Sequence, residues 1–345
     1  MRSESEPAAS GVEQESGSKS RLRPLPLTER ILASLPGRRI LWIAGWALVP
    51  WLNAGANLLL DTGERSAVWE QSRVVAVLNY AALSLAMVVT LLGVERIAQR
   101  VATLRATTSK VLSGVPSGAF REMNGIRGPL AAAVATALAF GLSALVRDGW
   151  TAAFLRGGTW VVLGIAMWTF LWTYGSLQLG LNRLGRAQLR RDSAVVDPGL
   201  ALRPLGAVAF MALWLLLAWL VPVLVTGLPD VVGLAIGLLV LAGGLGSFVF
   251  SLFGLHRQIA AVKDHELELA RRLYAEAYEP LREAPTLEAL ERQHTLLGAA
   301  DALEKRIRAV HDWPVAEGTW AWVIGITTSV VAIACARLVL RPFGL

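Results

Sequence analysis

VVGLAIGLLVLAGGLGSFVFSLFGLHRQ, residues 231–258, carries no charged side chain for 25 residues and then turns abruptly to histidine and arginine. As a helix at 1.5 Å per residue the uncharged part measures about 37 Å, more than the roughly 30 Å of hydrocarbon in a bilayer. It does not alternate as a barrel strand would. The run therefore predicts a transmembrane helix, and its glycines and serines pose the question of what they face.

Six more runs of this kind follow the same logic, at 40–60, 74–94, 129–146, 159–181, 205–225 and 319–336. The chain of 345 residues is 54% hydrophobic and 17% charged, against roughly 45–50% and 25% in soluble domains. A soluble core could not hide that much apolar surface. The fold class expected is all-α: a polytopic membrane helix bundle with seven transmembrane helices and a cytoplasmic helical hairpin.

A net charge of +7 raises the question of nucleic acid, which the positions of the basic residues answer. From the amino terminus through successive loops, Lys and Arg number 7, 2, 6, 2, 5, 0, 9 and 2. Basic loops stay on the cytoplasmic side. The alternation places the amino terminus and the even loops on the cytoplasmic side of the membrane. The lipid bilayer and its anionic headgroups are then the expected partners of the surplus charge, and no nucleic acid is needed.

Residues 1–38 read as a disordered basic tail, rich in Ser, Glu and Gly over the first twenty. The small residues Ala54, Gly55 and Ala56 do not make a signal-peptide cleavage site, because a polar region of nearly forty residues precedes the run and the run continues past them. Residues 39–255 form the six-span membrane domain, 256–318 the cytoplasmic hairpin, and 319–345 the last span with a short terminus. Within loop two, Ile97, Val101, Leu104, Thr108 and Val111 make a helical seam that requires a partner surface. The sequence points to the hairpin for that role, so that the two would build a small cytoplasmic bundle. The hairpin's first half carries Ile259, Val262, Leu269 and Leu273 and reads as helix until Pro280. Its second half starts near Pro285 and Thr286, with Leu297, Leu303 and Ile307 on its apolar side.

Enzymatic signatures fail one by one. DHELE at 264–268 begins like the zinc-protease motif, but Leu269 occupies the place of the second histidine. His256, His265, His294 and His311 are scattered through the hairpin, and no phosphate loop or nucleophile elbow exists. No span contains Asp, Glu, Lys, Arg or His, which argues against a proton relay and against a retinal Schiff base. No enzyme, cofactor or metal is expected. The single cysteine, Cys335, allows no internal disulfide.

Uncharged polar residues are the informative ones. Asn53 and Asn57 lie one turn apart in span one, and Asn79 lies in span two at a depth where the three could meet, with Asp61 just outside. In span six, Gly233, Gly237, Gly244, Ser247 and Ser251 fall within about 40° of one line. Span four repeats the device with Thr169, Thr173, Ser176 and Gly180, and span seven with Ala321, Thr328, Ala332 and Cys335. Such stripes let backbones approach closely. Alternatively the stripes of spans four and six face a narrow path, closed by Phe248, Phe250 or Phe253. The indoles of Trp168 and Trp172 need hydrogen-bond partners at depth.

LRPLG at 202–206 and EKRIRAVHDWP at 304–314 resemble stretches of bacterial multi-pass membrane proteins, a resemblance that covers roughly the last half of the chain. It implies a membrane location and no substrate, cofactor or catalytic residue. Two functions fit the residues. One is a channel or facilitator for an ion or small solute, with the stripes as its path. The other is a membrane-anchored scaffold or signalling subunit whose hairpin binds a cytoplasmic protein. Self-association into a homo-oligomer is compatible with either.

Overall fold

The computed structural model describes residues 25–59, 73–113, 118–189, 198–222, 224, 231–283, 287–309, 313–315 and 317–340. The elements are α1 (Leu27–Ser34), α2 (Arg39–Leu59), α3 (Arg73–Val111), α4 (Arg127–Leu184), α5 (Pro198–Pro222), α6 (Val231–Glu283), α7 (Leu287–Arg308) and α8 (Glu317–Leu340). A 3-10 turn, Arg121–Asn124, precedes α4. Among the described residues the helices are accompanied by a two-residue antiparallel ladder, with Leu112 opposite Leu189 and Ser113 opposite Gln188.

Four helices among the described residues are long and apolar enough to cross a membrane: Val77–Leu104, Arg127–Leu184, Leu202–Val221 and Leu234–Glu279. Gly318–Ala332 is a shorter apolar helix. The expected count of seven is not reached by this measure. One reason is that the third and fourth runs lie in a single element, α4. That element breaks at Gly149, whose φ of 85° and ψ of −175° are not helical and suit a residue without a Cβ.

The break folds α4 back on itself. Gly157 lies so close to Gly141 that a Cβ on Gly141 would stand 3.6 Å from the Gly157 Cα. Phe140 stacks on Trp160 with centroids 4.1 Å apart, and Arg156 pairs with Asp148 at 2.9 Å near the turn. The two runs thus become the antiparallel arms of one hairpin. α2, with Pro50 inside it, is not among the four candidate spans.

The core lies between α3, the second arm of α4, α5 and α6, around Phe170, Leu177, Leu181, Leu213, Leu216 and Phe248. Apolar burial from lipid gains little, so close packing must hold these helices. A smaller cluster of Leu32, Ile43, Met87, Leu91, Leu163 and Ala166 joins α1, α2, α3 and α4. Around the outside, large apolar side chains such as Leu41, Leu138, Phe154 and Ile324 are exposed. Soluble monomers rarely present such a surface.

Three expectations are corrected. Residues 27–34, assigned to a disordered tail, form helix α1, with Leu27, Thr28, Glu29 and Leu32 buried against its neighbours. The seam of Ile97, Val101 and Leu104 is buried, but α3 packs on α5, α2 and α4 rather than on the hairpin. The last helix sits at the edge: Val323 and Val330 turn inward, whereas Ala321, Thr328, Ala332 and Cys335 are all exposed among the described residues.

α6 runs unbroken for 53 residues, and α7 returns along its far half. Pro280 does not end the helix at once; three more residues follow it, to Glu283. The contact with α7 uses Ala270, Ala277, Ala300 and Ile307, all buried. Leu269 and Leu273, expected on the apolar side, are exposed: alanines bring the two axes close, and the bulkier leucines point away.

Candidate functional site

The second arm of α4 and the adjoining part of α6 are joined by a ladder of polar contacts. The Tyr174 hydroxyl donates to the Gly244 carbonyl at 2.7 Å, which also accepts from Ser247 Oγ at 2.9 Å. Two turns on, Ser251 Oγ donates to Gln178 Oε1 at 2.6 Å. Beyond that the backbones meet, since a Cβ on Gly185 would lie 2.9 Å from the Gly254 Cα. At the end of the seam Gln258 Nε2 donates to the Ala187 carbonyl.

This arrangement answers what the glycines of 231–258 face. Gly244 is covered by Leu216 of α5, whose Cδ2 occupies the place a Cβ would take, and by Tyr174. Gly237 and Ser251 are buried and Ser247 half-buried; the surroundings of Gly233 lie outside the described residues. At Gly244 the stripe of span six therefore packs against protein.

The stripe of span four does not meet it. At 100° per residue, Tyr174 and Gln178 lie about 140° and 180° round the helix from Thr169, and those two residues face α6. Thr169, Thr173 and Ser176 are buried elsewhere; Thr169 donates to its own helix at Ile165 O, 2.6 Å. Gly180 receives Phe120 and Ala119. A path walled by both stripes is thus corrected: the two faces look in different directions. Phe248 is fully buried, while Phe250 and Phe253 are exposed.

Gln178 and Gln258 were not singled out from the sequence. The available signal was that Gln178 is the one amide in 159–181, four residues after Tyr174.

Among the asparagines, Asn53 Oδ1 accepts from Thr159 Oγ1 at 2.9 Å, a tie between α2 and the second arm of α4. Asn57 is buried, and Asn79 is half-buried with its Oδ1 lacking a hydrogen-bond partner. Asp61 lies outside the described residues. Ser84 makes a further tie, donating to Ala47 O at 2.6 Å and accepting from Trp51 Nε1 at 3.0 Å. Both indoles find partners: Trp168 Nε1 donates to Thr136 Oγ1 at 2.8 Å, and Trp172 Nε1, on an exposed side chain, to the Glu122 carbonyl at 2.7 Å.

Ion pairs gather near the helix ends around α1. Arg39 bridges Glu29 at 2.7 Å and Glu95 at 3.1 Å, holding α1, α2 and α3 together. Burial pushes the Glu29 carboxyl above its ordinary range, against the pull of Arg39. Arg183 binds Glu122 at 2.7 Å, and that hydrogen bond holds the Glu122 carboxyl below its ordinary range. These ion pairs join α1 to α2 and α3, and the 3-10 turn to the end of α4.

The hairpin of α6 and α7 carries exposed pairs, Lys305 with Asp301 at 2.8 Å and Arg272 with Glu268 at 3.4 Å, each of small energetic weight. His256 stacks on Trp313 at 4.4 Å. Among the described residues no three His, Cys, Asp or Glu side chains gather as a metal set. No protein-family model matches the chain, and neither a curated protein nor a solved structure matches it.

Proposed function

We propose that the chain is an integral membrane protein whose bundle anchors a helical arm, α6 with α7, that docks a soluble cytoplasmic protein. One observation carries this reading. α7 packs along α6, and among the described residues it packs on no other helix to a comparable extent. A gating element would be braced against the bundle, as the seam of α3 is; among the described residues α7 has no comparable bracing against a helix other than α6. The unbroken α6, about 80 Å long at 1.5 Å per residue, gives the arm a stiff root in the polar ladder with α4. The topology that accompanies the proposal has seven spans in the cytoplasmic membrane of a bacterium, the amino terminus and the arm inside.

Site-specific photo-crosslinking in intact cells tests it. A crosslinker at Leu269 or Leu273 is expected to trap a discrete heavier species, and one at the outward-facing Leu138 is expected to trap none. Adducts only with lipid or with the chain itself at the arm positions overturn the reading. Deleting 262–308 must abolish the species while the bundle still inserts.

A second reading, a channel or facilitator for an ion or small solute, draws support from buried polar atoms without hydrogen-bond partners: Thr173 Oγ1, Gln178 Nε2 and Trp219 Nε1. Each is costly in an apolar core, on the order of 1–3 kcal/mol. Flux through reconstituted vesicles that disappears in Gly244→Leu favours it. An absence of flux for every ion and small neutral solute tried counts against it.

A further inference from the structure

α6 and α7 meet through Ala270, Ala277, Ala300 and Ile307, all buried, which leaves the pair two flanks. At 100° per residue, Tyr274 stands about 50° to one side of the alanine line of α6. It hydrogen-bonds Asp301, with Glu304 and Lys305 close by, and all three of these lie on one side of the Ala300 and Ile307 line of α7. That flank is charged: Lys305 pairs with Asp301 and Arg308 with Glu304 along it.

The opposite flank is apolar. On that side α6 presents Val262, Glu266, Leu269, Leu273 and Glu276, all within about 110° of the alanine line, and α7 presents Leu296 and Leu303. Leu269 is 46% exposed, Leu273 37% and Leu296 53%. The α6 residues are spaced 4-3-4-3, the seam into which another helix packs. Glu266 and Glu276 stand at the two ends of its leucine pair. The α6 ion pair of Arg272 with Glu268 points away from α7, and among the described residues neither seam glutamate makes one.

We propose that this flank of the arm is a groove for one amphipathic helix of the soluble partner, its apolar stripe against Leu269, Leu273 and Leu296 and its basic side chains toward Glu266 and Glu276. The inference rests on the docking role of the arm. Two apolar walls, one from each helix, receive a third helix at the usual spacing of about 8–10 Å. From Val262 to Glu276 the seam is about 21 Å long at 1.5 Å per residue, enough for a helix of two to three heptads. A second copy of the chain would bring its own Glu266 and Glu276 to the seam, and an anionic membrane surface would face the same two carboxylates. Like-charge repulsion disfavours both and favours a basic helix.

Fluorescence anisotropy with the full-length protein in phosphatidylcholine nanodiscs tests this, with empty nanodiscs as the background. The probe is a labelled synthetic helix of three heptads with Leu at a and d and Lys at e and g; its control carries Glu at e and g. The Lys helix is expected to bind saturably, about tenfold or more weakened by Leu273→Asp and unchanged by Tyr278→Ser on the charged flank. Glu266→Gln with Glu276→Gln, which leaves the leucines in place, should abolish the preference for the Lys helix over the Glu helix. Binding no greater than to empty nanodiscs, equal binding by Leu273→Asp, or a preference for the Glu helix overturns the proposal. So does a two-copy assembly that Leu273→Asp splits, because the chain itself then fills the groove. In-cell crosslinking at Leu269 separates the groove from the reading beneath it. A trapped protein without binding of the Lys helix removes the groove alone, and binding without a trapped protein removes the docking role alone.

Discussion

The hydroxyl of Tyr174 donates to the backbone carbonyl of Gly244 at 2.7 Å, across 70 residues of sequence. A side chain long enough to reach over the seam meets a carbonyl laid bare because its own residue has no side chain. Replacing Tyr174 with Phe keeps the ring and removes the bond. The expected loss is about 0.6 kcal/mol and at most about 1.7, the range for interhelical hydrogen bonds in membranes. Ser247 still donates to the same carbonyl, which places the loss toward the lower figure; reversible unfolding in mixed micelles measures it.

Two glycines should differ sharply in their tolerance of alanine. A Cβ on Gly206 would collide with the backbone carbonyl of Pro314, whereas one on Gly244 would collide with the tip of the Leu216 side chain. The segment at Pro314 is pinned by Trp313 stacked on His256 and cannot yield as a leucine methyl can. Gly206→Ala is therefore expected to destabilise by about 1–3 kcal/mol, the usual cost of overpacking, and Gly244→Ala by less. Thermal unfolding of the two variants decides it, and Leu216→Ala should relieve the second but not the first.

Asn53 and Thr159 tie α2 to the hairpin of α4 through one bond of 2.9 Å. A double-mutant cycle with Asn53→Ala and Thr159→Val should return a coupling of about 0.6 kcal/mol. A coupling near zero would mean that the bond adds nothing to helix association.

The Glu122 carboxyl is held low by the hydrogen bond from Arg183, so the folded state favours its charged form. A carboxylate with a depressed value stabilises at pH above its unfolded value of 4.5 and loses that contribution as pH falls through its folded value. Acidification below about 4.5 should loosen the 3-10 turn from the end of α4, and Glu122→Gln should flatten this dependence. The pair is 40% exposed on both sides, so solvent screening keeps the effect small. Glu29 works in the opposite sense. Its value is raised by burial, so its contribution is full below its unfolded value and fades as pH rises through the folded one. Proteolytic accessibility of α1 and of the turn across pH 3–7 separates the two.

Much of the local structure was legible in the residues. The described residues of the seven apolar runs are helical, and a second helix follows α6 and packs along it. The rim helix α1 was not legible. It is eight residues long and flanked by prolines, and its buried Glu29 makes sense only beside Arg39 and Glu95.

By itself the sequence determined that these segments are helices, because backbone polar groups in hydrocarbon must satisfy one another within the segment. It also determined the rough length of each segment. Which side of each helix meets which neighbour was decided only in the tertiary structure. In lipid the outside of a helix is as apolar as the inside, so no periodicity distinguished the Thr169 face of α4 from the Tyr174 and Gln178 face that α6 selects, or told α3 to pack on α5 rather than on the arm.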